Sequence, residues 1–268
     1  MKERPINIGY STCPNDTFIF CQLARQPDVA THLHDVETLN RWAFEEKLDV
    51  TKLSFHAWLL VRDKYELLPC GAALGRGCGP LVIGKQGAQG VGAQQGAHLR
   101  KCAVPGEYTT AHLLLRLWNP GIEQRVFMPF DRIMDAVAVG EVDAGVIIHE
   151  GRFVYRERGF ECLQDLGEWW ESTTGQPIPL GCIAAKKSLG ADRIAEIARR
   201  LKESIQAAFD DPASTEQYVR RHAQELSGEV TMKHIKTYVN DFTLDLGEEG
   251  RAAIEVLQRM AKDAGIID

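Results

Sequence analysis

The chain has 268 residues, 44% of them hydrophobic and 25% charged. That balance is close to the globular average and excludes a disordered, collagen-like or coiled-coil chain. The 31 basic and 37 acidic residues give a formal net charge of −6, so there is no basic excess to displace counterions from nucleic acid. No apolar run approaches the ~20 residues of a membrane span. The first ten residues carry no apolar core of a secretory signal.

The seven cysteines are Cys13, Cys21, Cys70, Cys78, Cys102, Cys162 and Cys182. None forms a Cys-x-x-Cys pair, and no Cys/His group has zinc spacing. Free thiols, a reducing cytoplasmic location and no metal are therefore expected.

Strand-like and helix-like patterns alternate along the chain, as in an α/β fold. Residues 5–11 alternate through Ile6 and Ile8 as a strand does, and a turn cluster at 12–16 follows. Thr17 to Ala24 reads as an apolar helix that Asn15 or Asp16 can cap. Residues 36–48 have helical spacing, Val50 to Ser54 is a short strand, and an apolar helix opens at Phe55. Gly71 to Pro80 is a Gly-rich packing loop. It lacks the Lys-Ser/Thr ending of a phosphate loop. Leu81 to Gly84 is a strand, and the Gly/Gln-rich run Gln86 to Gly96 marks a domain crossing. Lys101 to Pro105 is a strand, 106–110 a turn and Ala111 to Trp118 a helix. Another strand covers Arg125 to Pro129. The helix of 130–139 ends at Gly140, where a left-handed residue is often needed. Ala144 to His149 is a continuous apolar strand that stops at the polar pair His149-Glu150. Residues 177–185 form a returning strand. Helices are expected over 192–209, 215–225 and 248–264.

Two lobes follow from this order. Residues 1–85 with 186–268 form a discontinuous first lobe, and 86–185 form an inserted second lobe. Strand ends and helix N-termini then face a cleft between them. Three such junctions stand out, at 11–17, 52–54 and 106–111. Free first-turn N–H groups bind anions, Lys52 adds a positive charge, and Thr109 and Thr110 add hydroxyl donors. The junctions read either as a site for a carboxylate or polyol or as ordinary caps. His149 sits at a strand end and titrates near neutral pH, so it is a candidate base. Its alternative is a partly buried structural histidine. His56, His112, His222 and His234 read as packing or surface residues, and Trp169-Trp170 as packing. Cys13 is either a thiol activated by a helix start or a structural residue, and the latter is favoured.

Ser11-Thr-Cys-Pro-Asn-Asp-Thr-Phe-Ile-Phe20 resembles the opening motif of the 1,4-dihydroxy-6-naphthoate synthase family, from the futalosine route to menaquinone. So do 35–40, 51–54, 71–77, 106–111, Gly145-Val-Ile-Ile-His-Glu150 and Tyr238-Val-Asn240, spread over nearly the whole chain. The sequence departs from the family pattern at Gln86 to Gly96. It also departs at Glu107-Tyr108, where the family has Arg-His, and at Gly151, where Ser often follows His-Glu.

The resemblance implies a two-lobed fold like the type II periplasmic binding proteins. It implies a carbon–carbon lyase without metal or organic cofactor. Such an enzyme cleaves cyclic dehypoxanthinyl futalosine to 1,4-dihydroxy-6-naphthoate and dihydroxyacetone. It places the proton acceptor at His149 and substrate-binding residues at Lys52, Leu53, Ser54, Thr110 and Ala111. Asn15 and Asp16, inside the opening motif, join that candidate set. The expected partner is a small-molecule carboxylate. The competing readings are chorismate dehydratase of the same pathway and a non-catalytic solute-binding or sensing protein of the same fold.

Overall fold

The computed structural model describes residues 4–85, 99–223 and 227–268. The Gln86 to Gly96 run expected as a domain crossing lies outside the described residues. The elements of the first third are β1 (Ile6–Tyr10), α1 (Pro14–Phe20), β2 (Val29–Leu33), α2 (Val36–Phe44), β3 (Val50–Ser54), α3 (Phe55–Val61), β4 (Tyr65–Leu67) and β5 (Ala73–Gly75). The middle holds β6 (Leu81–Lys85), β7 (Lys101–Val104), α4 (Thr110–Trp118), β8 (Gln124–Phe127), α5 (Ile133–Val139), β9 (Ala144–Ile147), α6 (Gly151–Val154), β10 (Phe160–Asp165) and α7 (Leu166–Thr174). The chain ends with β11 (Ile178–Lys186), α8 (Ala191–Asp210), α9 (Glu216–His222), α10 (Gly228–Tyr238), α11 (Asp241–Leu244) and α12 (Gly247–Asp263).

Two sheets form. The first has the order β2-β1-β3-β11-β4, with β5 also pairing with β11, and the second has the order β10-β6-β9-β7-β8. Strand β1 runs parallel to β2 and β3, and β7 runs parallel to β8 and β9. Strands β11 and β6 run antiparallel to their neighbours. The sheet pairings differ from the expected lobe edges at both ends. Strand β6, inside 1–85, pairs in the second sheet, and β11, inside 86–185, pairs in the first. The chain changes sheet between β5 and β6, and again between α7 and β11.

Alternation explains the packing of the first sheet. Ile6, Ile8 and Tyr10 of β1 are buried in one cluster with Ile19, Ile197 and Leu201 of α1 and α8. On the opposite face of the sheet, Leu53, Cys182 and Ala184 join a cluster with Phe55 of α3 and Leu257 of α12. Trp170 of α7 is fully buried and donates its Nε1–H to the Pro177 carbonyl at 3.1 Å, so this half of the tryptophan pair packs as expected. Gly140 closes α5 at φ 77°, in the left-handed region expected for it. Helix α1 begins at Pro14, earlier than Thr17. Its N-cap position is Cys13 and has no side-chain cap. Asn15 and Asp16 therefore lie inside the first turn, which frees their side chains for other contacts.

Candidate active site

The carboxyl ends of β1, β3, β7 and β9 open onto one cleft, as the crevice of an α/β sheet does. It encloses about 670 Å³, mouth included. Ser11, Asn15, Asp16, Lys52, Ser54, Thr109, Thr110, Ala111 and His149 all line it. The three junctions singled out in the sequence thus converge, together with the strand end that carries His149. Leu53 does not join them. Strand alternation turns Lys52 and Ser54 toward the cleft and sends the Leu53 side chain into the core, where it is fully buried.

Asp16 is the electrostatic centre of the first lobe's wall. Its Oδ1 accepts from Lys52 Nζ at 2.8 Å and from Asn15 Nδ2 at 2.9 Å. Its Oδ2 accepts from the Ser11 hydroxyl at 2.7 Å and the Ser11 N–H at 3.1 Å. The side chains of Asp16 and Lys52 are only 1% and 7% exposed. A charged pair this deep persists only because its lone pairs are satisfied. Ser54 N–H donates to Asn40 Oδ1 at 2.9 Å, and Ser54 Oγ accepts from Asn40 Nδ2 at 3.2 Å. That arrangement leaves the Ser54 hydroxyl proton for the cleft.

The 106–111 turn is held from below. Glu37 accepts from the N–H groups of Glu107 and Tyr108 at 3.0 and 3.1 Å, and burial raises its pKa. His112 Nδ1–H donates to the Glu107 carbonyl at 2.7 Å, and His56 Nδ1–H to the Thr109 carbonyl at 3.2 Å. Burial holds His56 neutral, its pKa lowered to about 4. Thr109 caps α4 by accepting from His112 N–H at 3.2 Å. The Thr110 hydroxyl is not a spare donor, as its proton goes to the Leu180 carbonyl at 2.7 Å. With the His112 N–H taken by Thr109, the N–H groups of Thr110 and Ala111 are the ones in the first turn of α4 that precede the intrahelical ladder.

His149 follows β9 with φ 54°, in the left-handed region that a non-glycine residue rarely adopts. Backbone strain of this kind costs of order 1–3 kcal/mol and clusters at functional positions. His149 Nδ1 lies 3.3 Å from Cys13 Sγ. Burial lowers the His149 pKa, and Glu150 and Asp16 only partly oppose that, so the imidazole is neutral at neutral pH. The Cys13 thiol is pushed up to about 12 by burial and then by Asp16. A helix start would lower it, but desolvation wins, and Cys13 is a thiol rather than a thiolate. Among the described residues no group of three or more His, Cys, Asp or Glu side chains is arranged to hold a metal ion. No described helix is long and apolar enough to cross a membrane.

The family model described as menaquinone biosynthesis matches residues 6–263. The chain belongs to the menaquinone biosynthesis family. Two curated relatives are both named 1,4-dihydroxy-6-naphtoate synthase. The Streptomyces coelicolor protein is 45% identical over 277 residues, covering 100% of this chain and 96% of that protein. The Thermus thermophilus protein is 46% identical over 266 residues, covering 97% and 95%. A crystal structure of an Archaeoglobus fulgidus protein superposes with a TM-score of 0.90 at 35% identity over the full length of both chains. An alkanesulfonate-binding protein of Xanthomonas axonopodis superposes at 0.71 with 13% identity, covering 100% of this chain and 96% of that one. At that identity the likeness shows the fold alone. That fold is the expected periplasmic-binding-protein-like one. This member of the menaquinone biosynthesis family is an enzyme of that biosynthesis.

Other residues of this family member's cleft escape local sequence reasoning. His234, expected as packing or surface, comes from α10 and lines the cleft with Tyr238. Its ring lies nearly parallel to that of His149, centroids 6.1 Å apart. Asn40 and Glu37 reach the site from α2. The Asp35–Asn40 and Tyr238–Asn240 stretches carry part of the family resemblance, and that is the available signal for Asn40 and Tyr238.

Proposed function

We propose that the protein cleaves cyclic dehypoxanthinyl futalosine to 1,4-dihydroxy-6-naphthoate and dihydroxyacetone, with His149 as the general base. The observation that carries this reading is the neutral, strained His149 facing a cleft whose other wall ends in helix N-termini. The names of the two relatives support 1,4-dihydroxy-6-naphthoate as the product. A substrate carboxylate suits the first turn of α4 at Thr110 and Ala111, where the helix dipole favours negative charge. Apolar contacts from Val36, Pro80, Ile148 and Leu180 suit a fused ring.

In this reading Nδ1–H of His149 rests on Cys13 Sγ, and Nε2 removes a proton from the substrate. The pair of the broken C–H bond forms a new ring double bond, the pair of the cleaved carbon–carbon bond leaves on the three-carbon fragment, and the proton held by His149 passes to that fragment to give dihydroxyacetone as the remaining ring gains aromaticity. A positioned base supplies ~10²–10⁴-fold. Orientation and exclusion of water in the cleft supply the rest. The Ser54 hydroxyl and the Lys52 ammonium offset negative charge that develops on substrate oxygens. The reaction belongs in the cytoplasm, and the partner is this small carboxylate.

The test is incubation of the purified protein with the cyclic futalosine derivative and, separately, with chorismate. Naphthol absorbance and dihydroxyacetone are expected from the first substrate alone, with turnover retained when a chelator is added. Dehydration of chorismate, or binding of the futalosine derivative without products, would overturn the assignment.

A further inference from the structure

The reaction proposed above uses His149 and leaves the second histidine of the cleft without a task. His234 is fully buried on α10 and lines the same cleft. Its hydrogen bonding fixes which nitrogen carries the proton. Asn15 Nδ2 donates to Asp16 Oδ1, so Asn15 presents its Oδ1 to His234 Nε2 at 2.9 Å. An oxygen there accepts, and His234 Nε2 must be the protonated nitrogen. Nδ1 is therefore a lone pair. It is buried and has no hydrogen-bond partner among the described residues.

The tautomer is enforced through several residues. Lys52 holds Asp16, Asp16 holds the Asn15 amide, and the amide holds His234. Protonation of the ring is opposed too. Burial, then His149 and Lys52, lowers the His234 pKa to about 3. The ring stays neutral, with one nitrogen donating into the protein and the other able only to accept. A buried acceptor left unpaired is unfavourable, and native structures rarely keep one without a reason.

We propose that His234 Nδ1 accepts a hydrogen bond from a hydroxyl group of the substrate and so selects hydroxylated ligands beside His149. This rests on the reaction assigned above, which supplies hydroxyl donors in substrate and products. A carboxylate does not fit the position, because it offers no proton to an acceptor. A ligand lacking the hydroxyl leaves Nδ1 unpaired, and such sites reject the deoxy analogue strongly.

The experiment uses the full-length protein with ¹⁵N-labelled histidine and 1,4-dihydroxy-6-naphthoate as the probe. Long-range ¹H–¹⁵N spectra report each ring nitrogen, and the His234 signals are assigned by their loss in H234Q. In the free protein the expected pattern is a protonated Nε2 and a bare Nδ1. At saturation the Nδ1 signal is expected to move upfield, as a lone pair does on accepting a hydrogen bond. Saturation with no movement of Nδ1, or a free protein with Nδ1 already hydrogen-bonded, overturns the inference and leaves the reaction intact. Failure of the naphthoate to bind at all overturns the reaction assignment and the inference with it. Two substitutions give a second readout. H234N keeps an acceptor near Nδ1, and H234Q keeps only the donor toward Asn15. The naphthoate is expected to bind H234Q about 10-fold more weakly than wild type, the scale of one lost hydrogen bond, with H234N intermediate. Equal affinity in all three proteins refutes the role.

Discussion

Replacing Asp16 by Asn should destabilise the protein far more than replacing Lys52 by Met, although both break the same ion pair. Asp16 receives four donors, and only one of them is Lys52. Lys52→Met leaves the carboxylate with the Ser11 hydroxyl, the Ser11 N–H and the Asn15 amide, and is expected to cost about 1–3 kcal/mol. Asp16→Asn leaves an ammonium group only 7% exposed without its counter-charge. Stranding one member of a buried pair costs about 3–5 kcal/mol. The double variant Asp16→Asn/Lys52→Met removes that stranded charge, so its cost should fall below the sum of the singles by at least ~1 kcal/mol. Urea unfolding of the wild type and the three variants measures all of these terms, provided the slope with denaturant is unchanged. Equal losses for the two single variants, or simple additivity in the double, would refute the view that the Ser11 and Asn15 donors hold Asp16 without help from Lys52.

Cys13 should resist alkylation at neutral pH, since its thiol is pushed up to about 12; rapid labelling of Cys13 by iodoacetamide, read by mass spectrometry, would contradict this. Gly79→Ala should destabilise the fold, because a Cβ there would lie 2.3 Å from the backbone N and Cα of Gly167. Neither neighbour is a flexible side chain, and overpacking of this kind costs about 1–3 kcal/mol, so an unchanged urea midpoint would count against the close approach of the two segments. The acid limb of kcat/KM should lie below pH 6.5. In the proposed reaction neutral His149 is the base, so activity should be full above its folded pKa and lost as pH falls through it, and burial places that pKa under the ordinary 6.5; a limb above pH 6.5 would mean that another group titrates.

Strong alternation or a continuous apolar run makes a strand legible in the amino-acid sequence. Strands β1, β3, β6, β7, β9 and β11 are of this kind, and they supply most of the cleft. Strand β10, Phe160-Glu-Cys-Leu-Gln-Asp165, mixes polar and apolar residues because it is a sheet edge with one neighbour. Strands β2 and β4 are edges as well, and β4 has only three residues. Composition shifts put the lobe boundaries at 85/86 and 185/186, whereas strand pairing moves β6 and β11 across them. At the site, local chemistry picks out Lys52, Ser54, Thr110 and His149, while Asp16 reads locally only as a helix cap. What no local pattern contains is who meets whom. The Asp16–Lys52 pair exists because β1 and β3 are neighbours in the sheet. His234 reaches Asn15 from 219 positions away, and its helix has no apolar stripe strong enough to announce a buried face. Leu53 shows the converse: a contiguous motif suggests three contact residues, and the pleat of a strand turns the middle one into the core.

In the proposed reaction His149 removes the proton that starts carbon–carbon cleavage. Single-turnover kinetics with cyclic dehypoxanthinyl futalosine, comparing wild type with His149→Ala, test that role most directly. Equimolar 1,4-dihydroxy-6-naphthoate and dihydroxyacetone are expected from the wild type. In the variant the chemical step is expected to slow ~10²–10⁴-fold, with substrate affinity within a few-fold of wild type. A variant that turns over at the wild-type rate, or that fails only because it no longer binds substrate, would contradict that role.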